Sequence, residues 1–130
     1  MKPVQTSKAP SAIGPYSQAV VANGLVYTSG QIALAPDGSD ELLKAPVGTQ
    51  TLRVLENLKA VLEEAGSSLN DVIKTTIYLA DMDDFSTVNK VYELEFGGHK
   101  PARSTVAVKT LPKNALVEID AVALVANYSF

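Results

Sequence analysis

The sequence predicts an α+β fold in which two amphipathic helices cover one face of a mixed sheet, in the order β-β-α-β-α-β-β. Three observations predict it. Two stretches, near residues 46–65 and 85–96, carry apolar side chains at helical spacing. Several others alternate apolar and polar residues with the period of a strand. Asn23-Gly24, a dipeptide whose members both tolerate positive φ, separates two short apolar runs and marks a hairpin. The chain has 130 residues, 46% of them apolar and 19% charged, the balance of a folded single domain over 1–130.

Taken in order, Ala19-Val20-Val21-Ala22 and Leu25 to Ser29 are the hairpin strands, and Ala35-Pro36-Asp37-Gly38-Ser39-Asp40 is a loop. Val47, Thr51, Val54, Leu55, Leu58, Val61, Leu62 and Ala65 form the stripe of the first helix, and Gly66 stands where a helix end favours a left-handed residue. Asp71 to Ala80 is a strand with Ile73, Thr75, Ile77 and Leu79 on one side. Asp81, Asp83 and Asp84 open the second helix, whose stripe is Phe85, Val88, Tyr92 and Phe96, and Gly97-Gly98 ends it. Arg103 to Thr110 and Ala115 to Val125 are the closing strands.

Two helices cover only one face of such a sheet. The last strand puts Val117, Ile119, Ala121, Ala123 and Val125 on the helix side, leaving Leu116, Glu118, Asp120, Val122 and Leu124 on the other. Three large aliphatics are more than a solvated sheet face ordinarily carries, so this face is expected to be covered by another copy of the chain. From Ala9 to Pro36 no residue is charged, yet Gly14-Pro15, Gln18, Asn23-Gly24 and Ser29-Gly30 interrupt the run too often for a membrane span. The opening Met1 to Ser7 has no apolar signal core, which points to the cytoplasm.

Composition removes most catalytic toolkits. With no cysteine there is no disulfide, thiolate nucleophile, iron–sulfur cluster or cysteine zinc site, and one histidine, His99, cannot build a histidine-rich metal centre. Eleven basic against 14 acidic residues give a net charge of −3, and only Lys74, Lys90 and Lys100 lie between Lys59 and Arg103, which argues against a nucleic-acid surface. At a helix start Asp81, Asp83 and Asp84 are read as caps in preference to a metal cluster. His99, in a turn, is read as an ordinary surface or capping side chain.

What remains is a guanidinium and two carboxylates. Taking Ser104, Val106 and Val108 as the core side of their strand puts Arg103, Thr105 and Ala107 on the side of Glu118 and Asp120. There the arginine either neutralises an acid or holds a substrate carboxylate with its planar fork. Glu118 and Asp120, two apart on one strand face, either pair with basic groups of a neighbouring subunit or raise one another's pKa into the range of an acid/base catalyst.

Four segments carry a resemblance that covers essentially the whole chain: Ala12-Ile13-Gly14-Pro15-Tyr16-Ser17-Gln18-Ala19, Tyr27-Thr28-Ser29-Gly30-Gln31-Ile32, Lys100-Pro101-Ala102-Arg103-Ser104 and Val117-Glu118-Ile119-Asp120-Ala121. Together they resemble the reactive intermediate deaminases, the RidA or YjgF family. The resemblance implies a chorismate-mutase-like fold, assembled as a homotrimer with sites at the subunit interfaces. It also implies hydrolysis of enamines and imines, such as the 2-aminoacrylate released by pyridoxal-phosphate-dependent dehydratases, to 2-oxo acids and ammonia, with no cofactor and no metal; charge and sequence pattern, for their part, speak for no nucleic acid and no membrane as partners. Carried over residue by residue, Arg103 clamps the substrate carboxylate and Glu118 positions water and shuttles protons. Tyr16 and Ser29 shape the pocket, the Gly30 backbone approaches closely, and Asn89 and Thr105 are further substrate-binding positions. Thr105 stands where many relatives have a cysteine; its main-chain amide can still donate. The alternatives to a deaminase are a non-catalytic regulatory trimer that binds small carboxylates and an RNA-directed endoribonuclease or translation inhibitor.

Overall fold

The computed structural model describes residues 1–125. Strands β1 (Lys2–Val4), β2 (Ala19–Ala22), β3 (Leu25–Thr28), β4 (Val72–Leu79), β5 (Ala102–Ala107) and β6 (Val117–Leu124) form one sheet in the order β1-β2-β3-β6-β4-β5. Helix α1 (Val47–Glu64) connects β3 to β4 and α2 (Phe85–Phe96) connects β4 to β5. All pairings are antiparallel except β4 with β5. The predicted α+β architecture of two helices on a mixed sheet is present, with β1 as an additional short edge strand.

Local chemistry explains the turns. Asn23 and Gly24 both adopt positive φ, 52° and 77°, and join β2 to β3 as a tight hairpin. Gly66 is left-handed at 83° just beyond α1, as expected. Asp81 spends a carboxylate oxygen on the Asp83 amide at 2.9 Å, so its role is a cap.

The core lies between the helices and one sheet face. Val54, Leu55, Leu58, Val61 and Leu62 of α1 meet Val26, Ile77, Leu79, Val117, Ile119 and Ala123, all at most 1% exposed. One expectation fails at the start of β4. A bulge between Val72 and Lys74 shifts the register, so Val72 takes the buried place and Ile73 turns outward, 43% exposed.

Three polar side chains inside the apolar layer hold loops in place. Gln18 accepts from the Thr6 amide and donates to the carbonyls of Thr6 and Pro10, tying down the segment before β2. Gln50 donates to the carbonyls of Leu43 and Ala45 and accepts from the Leu116 amide. Asn57 donates to the carbonyls of Ile32 and Leu34. Each satisfies main-chain groups that would be costly to bury unpaired. No helix among the described residues is long and apolar enough to cross a membrane.

Candidate active site

The register of β5 corrects the expected facing of Arg103. Arg103 lies opposite Thr75, and Thr105 opposite Ile77, residues that point beneath the helices; Ser104 lies opposite Thr76 and Val106 opposite Tyr78. Glu118 lies opposite Tyr78 and Asp120 opposite Thr76, on the open face. Arg103 and Thr105 therefore share the helix side with Ile119, and Glu118 stands on the other side of the sheet. The reason is that β5 is an edge strand: Val106, 42% exposed, belongs to the open face and does not mark the core side.

On the open side, Glu118 projects into a cavity of about 370 Å³ bounded by Ile13, Tyr16, Gly30, Ile32, Leu34 and Lys113. Gln31 continues the sheet locally, exchanging main-chain hydrogen bonds with Ile119 at 2.9 and 3.1 Å, and this brings Gly30 against the acid. A Cβ at position 30 would lie 2.7 Å from Glu118 Cδ and closer still to Oε2, so only glycine leaves the carboxylate where it is. Half-burial, reinforced by the charge of Asp120, raises the Glu118 pKa above the ordinary carboxylate range. Asp120 is likewise raised by burial, against a hydrogen bond from the Tyr78 hydroxyl at 3.1 Å. Tyr16 is 55% exposed at the cavity wall. Ser29 has its hydroxyl committed to the Ser17 carbonyl at 2.6 Å and is not among the residues bounding this cavity.

On the helix side, Arg103 forms part of a second cavity, of about 360 Å³, with Asn89, Tyr92, Phe96, His99 and Lys100. Its Nη1 donates to Asn89 Oδ1 at 2.8 Å, and its guanidinium carbon lies 4.9 Å from the Tyr92 ring centre and 5.5 Å from that of Phe85. Asn89 is thus a ligand of the arginine. Among the described residues the ion pair is Arg53 with Glu56, and Arg103 has no acidic partner. His99 Nε2 donates to the Val72 carbonyl at 2.6 Å, so it ties the turn after α2 to the start of β4 and is neither a free surface side chain nor a cap.

The described residues therefore present two candidate sites on opposite sides of the sheet: an acid in a largely apolar hollow, and a guanidinium braced on aromatic rings with no acidic partner among those residues. Sequence reasoning found both charged groups. It missed Phe85 and Tyr92 as supports, although Phe85, Asn89 and Tyr92 recur at i, i+4 and i+7 along α2, the spacing of one helix face. It also missed Lys113, which bounds the acid's cavity from a left-handed backbone, φ 54°.

Comparison with known proteins supplies the family. Residues 6–125 match the family described as Endoribonuclease L-PSP, and the chain belongs to it; this is the YjgF/RidA family. A RutC family protein of Pyrococcus abyssi is 51% identical over 118 residues, covering 91% of this chain and 92% of that one. The mouse protein named 2-iminobutanoate/2-iminopropanoate deaminase is 46% identical over 123 residues, 95% of this chain and 90% of that one. Among solved structures, Escherichia coli TdcF with bound serine matches with a TM-score of 0.89 at 43% identity, covering 95% of this chain and 98% of that one.

Proposed function

We propose that the protein is a deaminase that hydrolyses 2-imino acids and their enamine tautomers, 2-aminoacrylate among them, to 2-oxo acids and ammonia. The observation that carries this reading is the Glu118 carboxyl group, raised in pKa and held in a confined hollow by the Gly30 backbone. A carboxyl group titrating above its usual range exchanges protons more readily near neutrality, which imine hydrolysis needs twice. Glu118 first takes a proton from water as its oxygen attacks the C=N carbon. It returns that proton to nitrogen to give a carbinolamine, then carries the hydroxyl proton to the same nitrogen as the C–N bond breaks, so that ammonia leaves and a carbonyl remains. Arg103, with no acid to neutralise it among the described residues, fixes the substrate carboxylate through its remaining N–H groups. Tyr16 closes the hollow, and the Thr105 amide is the further donor on the arginine's side.

Because Arg103 and Glu118 occupy opposite sides of one sheet, the complete site takes each from a different chain. An interface between two unlike surfaces closes on itself only as a ring, and a homotrimer is the smallest ring above a pair. In that assembly the open sheet face, with Tyr27, Val106 and Leu124 each 42–50% exposed, lies against neighbouring copies. The mouse relative's name and the serine bound to TdcF, an amino acid with a carboxylate, support the substrate class.

The test is a coupled assay in which serine dehydratase supplies 2-aminoacrylate and 2-oxo acid appearance is followed. Acceleration by this protein, lost in Glu118→Gln, is the expected result. An equal rate with and without the protein, with 2-oxo acids still bound, would assign it to carboxylate sensing.

A further inference from the structure

Arg103 does not hang free. Its guanidinium lies over the ring of Tyr92, and that ring is fixed from two other directions. Behind it, Phe96 stacks with centroids 4.4 Å apart and planes inclined by 29°. At its edge, the Tyr92 hydroxyl shares a 2.7 Å hydrogen bond with Thr75 Oγ1 beneath the sheet, where Thr75 is fully buried. Tyr92 itself is only 6% exposed, so the ring has one face for the cation and no freedom to leave it. Asn89 takes one of the five guanidinium N–H groups, which sets the rotation of the fork about the ring normal.

We propose that Tyr92 is the positioning residue for Arg103: its ring face holds the guanidinium in the orientation that receives a carboxylate. This rests on the carboxylate-clamp reading of Arg103. An arginine on a flexible stem loses rotamer freedom when it binds an anion. One already laid on an aromatic face has lost it beforehand. The attraction is electrostatic, between the cation and the negative face of the ring, so it weakens as electron density is withdrawn from the ring. Carboxylate affinity should therefore follow the electronics of residue 92, transmitted through the guanidinium that lies on its ring.

The experiment measures calorimetric affinity for 2-oxobutanoate, with KM and kcat, in Tyr92→Phe, Tyr92→Leu and a series carrying phenylalanine with one, two or three ring fluorines at position 92. The fluorinated rings are close to isosteric, so they test the ring even where Tyr92→Leu fails to fold. Tyr92→Phe should stay within about twofold of the parent, and Tyr92→Leu should weaken affinity on the order of tenfold, in KM more than in kcat. Affinity should fall stepwise with each fluorine. A flat fluorine series would overturn the proposal, because a purely structural ring keeps its packing. Arg103→Ala separates the two claims. Full affinity for 2-oxobutanoate in that variant defeats the clamp itself, whereas lost affinity with a flat fluorine series defeats only the role of Tyr92.

Discussion

Arg103→Ala and Glu118→Gln each remove one of two groups that lie on opposite sides of the sheet, so if the site is shared between chains two impaired proteins should repair one another at substrate concentrations well below the KM of Arg103→Ala. In an assembly formed from equal amounts of both variants, a junction is intact when one neighbour brings Arg103 and the other brings Glu118. With random incorporation each condition holds half the time, so roughly a quarter of the junctions are whole, a fraction independent of ring size. Alone, Glu118→Gln should lose about a hundredfold or more in kcat, the contribution of a positioned acid/base group. Arg103→Ala should raise KM by roughly thirtyfold or more, since charge-assisted hydrogen bonds contribute about 1.5–3 kcal/mol each. The mixture, unfolded and refolded together, should recover about a quarter of the parent activity in the 2-aminoacrylate assay. Native mass spectrometry reports the mixing. Fully mixed assemblies no more active than the separate variants would refute a site shared between chains.

Gly30→Ala should leave the chain folded, because the group displaced is the end of a half-buried side chain. It should nonetheless lower kcat by about a hundredfold, the usual result of moving a catalytic group by about 1 Å; unchanged kcat with a normal melt would show that the Glu118 position does not matter. Glu118 and Asp120 both have raised folded-state pKa values, so their stabilising contribution is fully present below the unfolded carboxylate pKa and is lost as pH rises through the folded values. Melting temperature should therefore rise more in the parent than in Asp120→Asn as pH falls from neutrality. Without the neighbouring charge, the activity limb governed by Glu118 should also move to lower pH in Asp120→Asn; coincident profiles would contradict this. Leu58→Ala, at a side chain 1% exposed, should cost about 2–5 kcal/mol in denaturant unfolding.

Elements with strong local signals were legible in the sequence. Asn23-Gly24 needs no tertiary context to turn, and the stripes of α1 and α2 repeat at a period only a helix satisfies. The alternation of β6 reads directly because one of its faces is continuously apolar. β5 misleads because an edge strand has weaker demands on both faces, so Val106 reads as core although it lies on the open face. The bulge that turns Ile73 outward is decided by pairing with β6, which no local pattern records. Gln50 and Asn57 read as ordinary polar residues on a helix; the Ile32 and Leu34 partners of Asn57 and the Leu116 partner of Gln50 lie in loops distant along the chain. Arg103 and Glu118 were identified by residue type and motif. Their separation by the thickness of the sheet depends on register, and the contact of Gly30 with Glu118 on the Gln31–Ile119 bridge.

Asn57 and Gln50 sit about two turns apart on α1. One grips Ile32 and Leu34, which wall the acid's hollow, and the other grips Leu116, two residues before the acid itself. The helix thus behaves as a beam from which both edges of the hollow are hung. Heat or denaturant that loosens this beam would slacken the hollow while the sheet beneath is still intact. Loss of turnover should then keep pace with amide exchange along α1, ahead of β4 and β6.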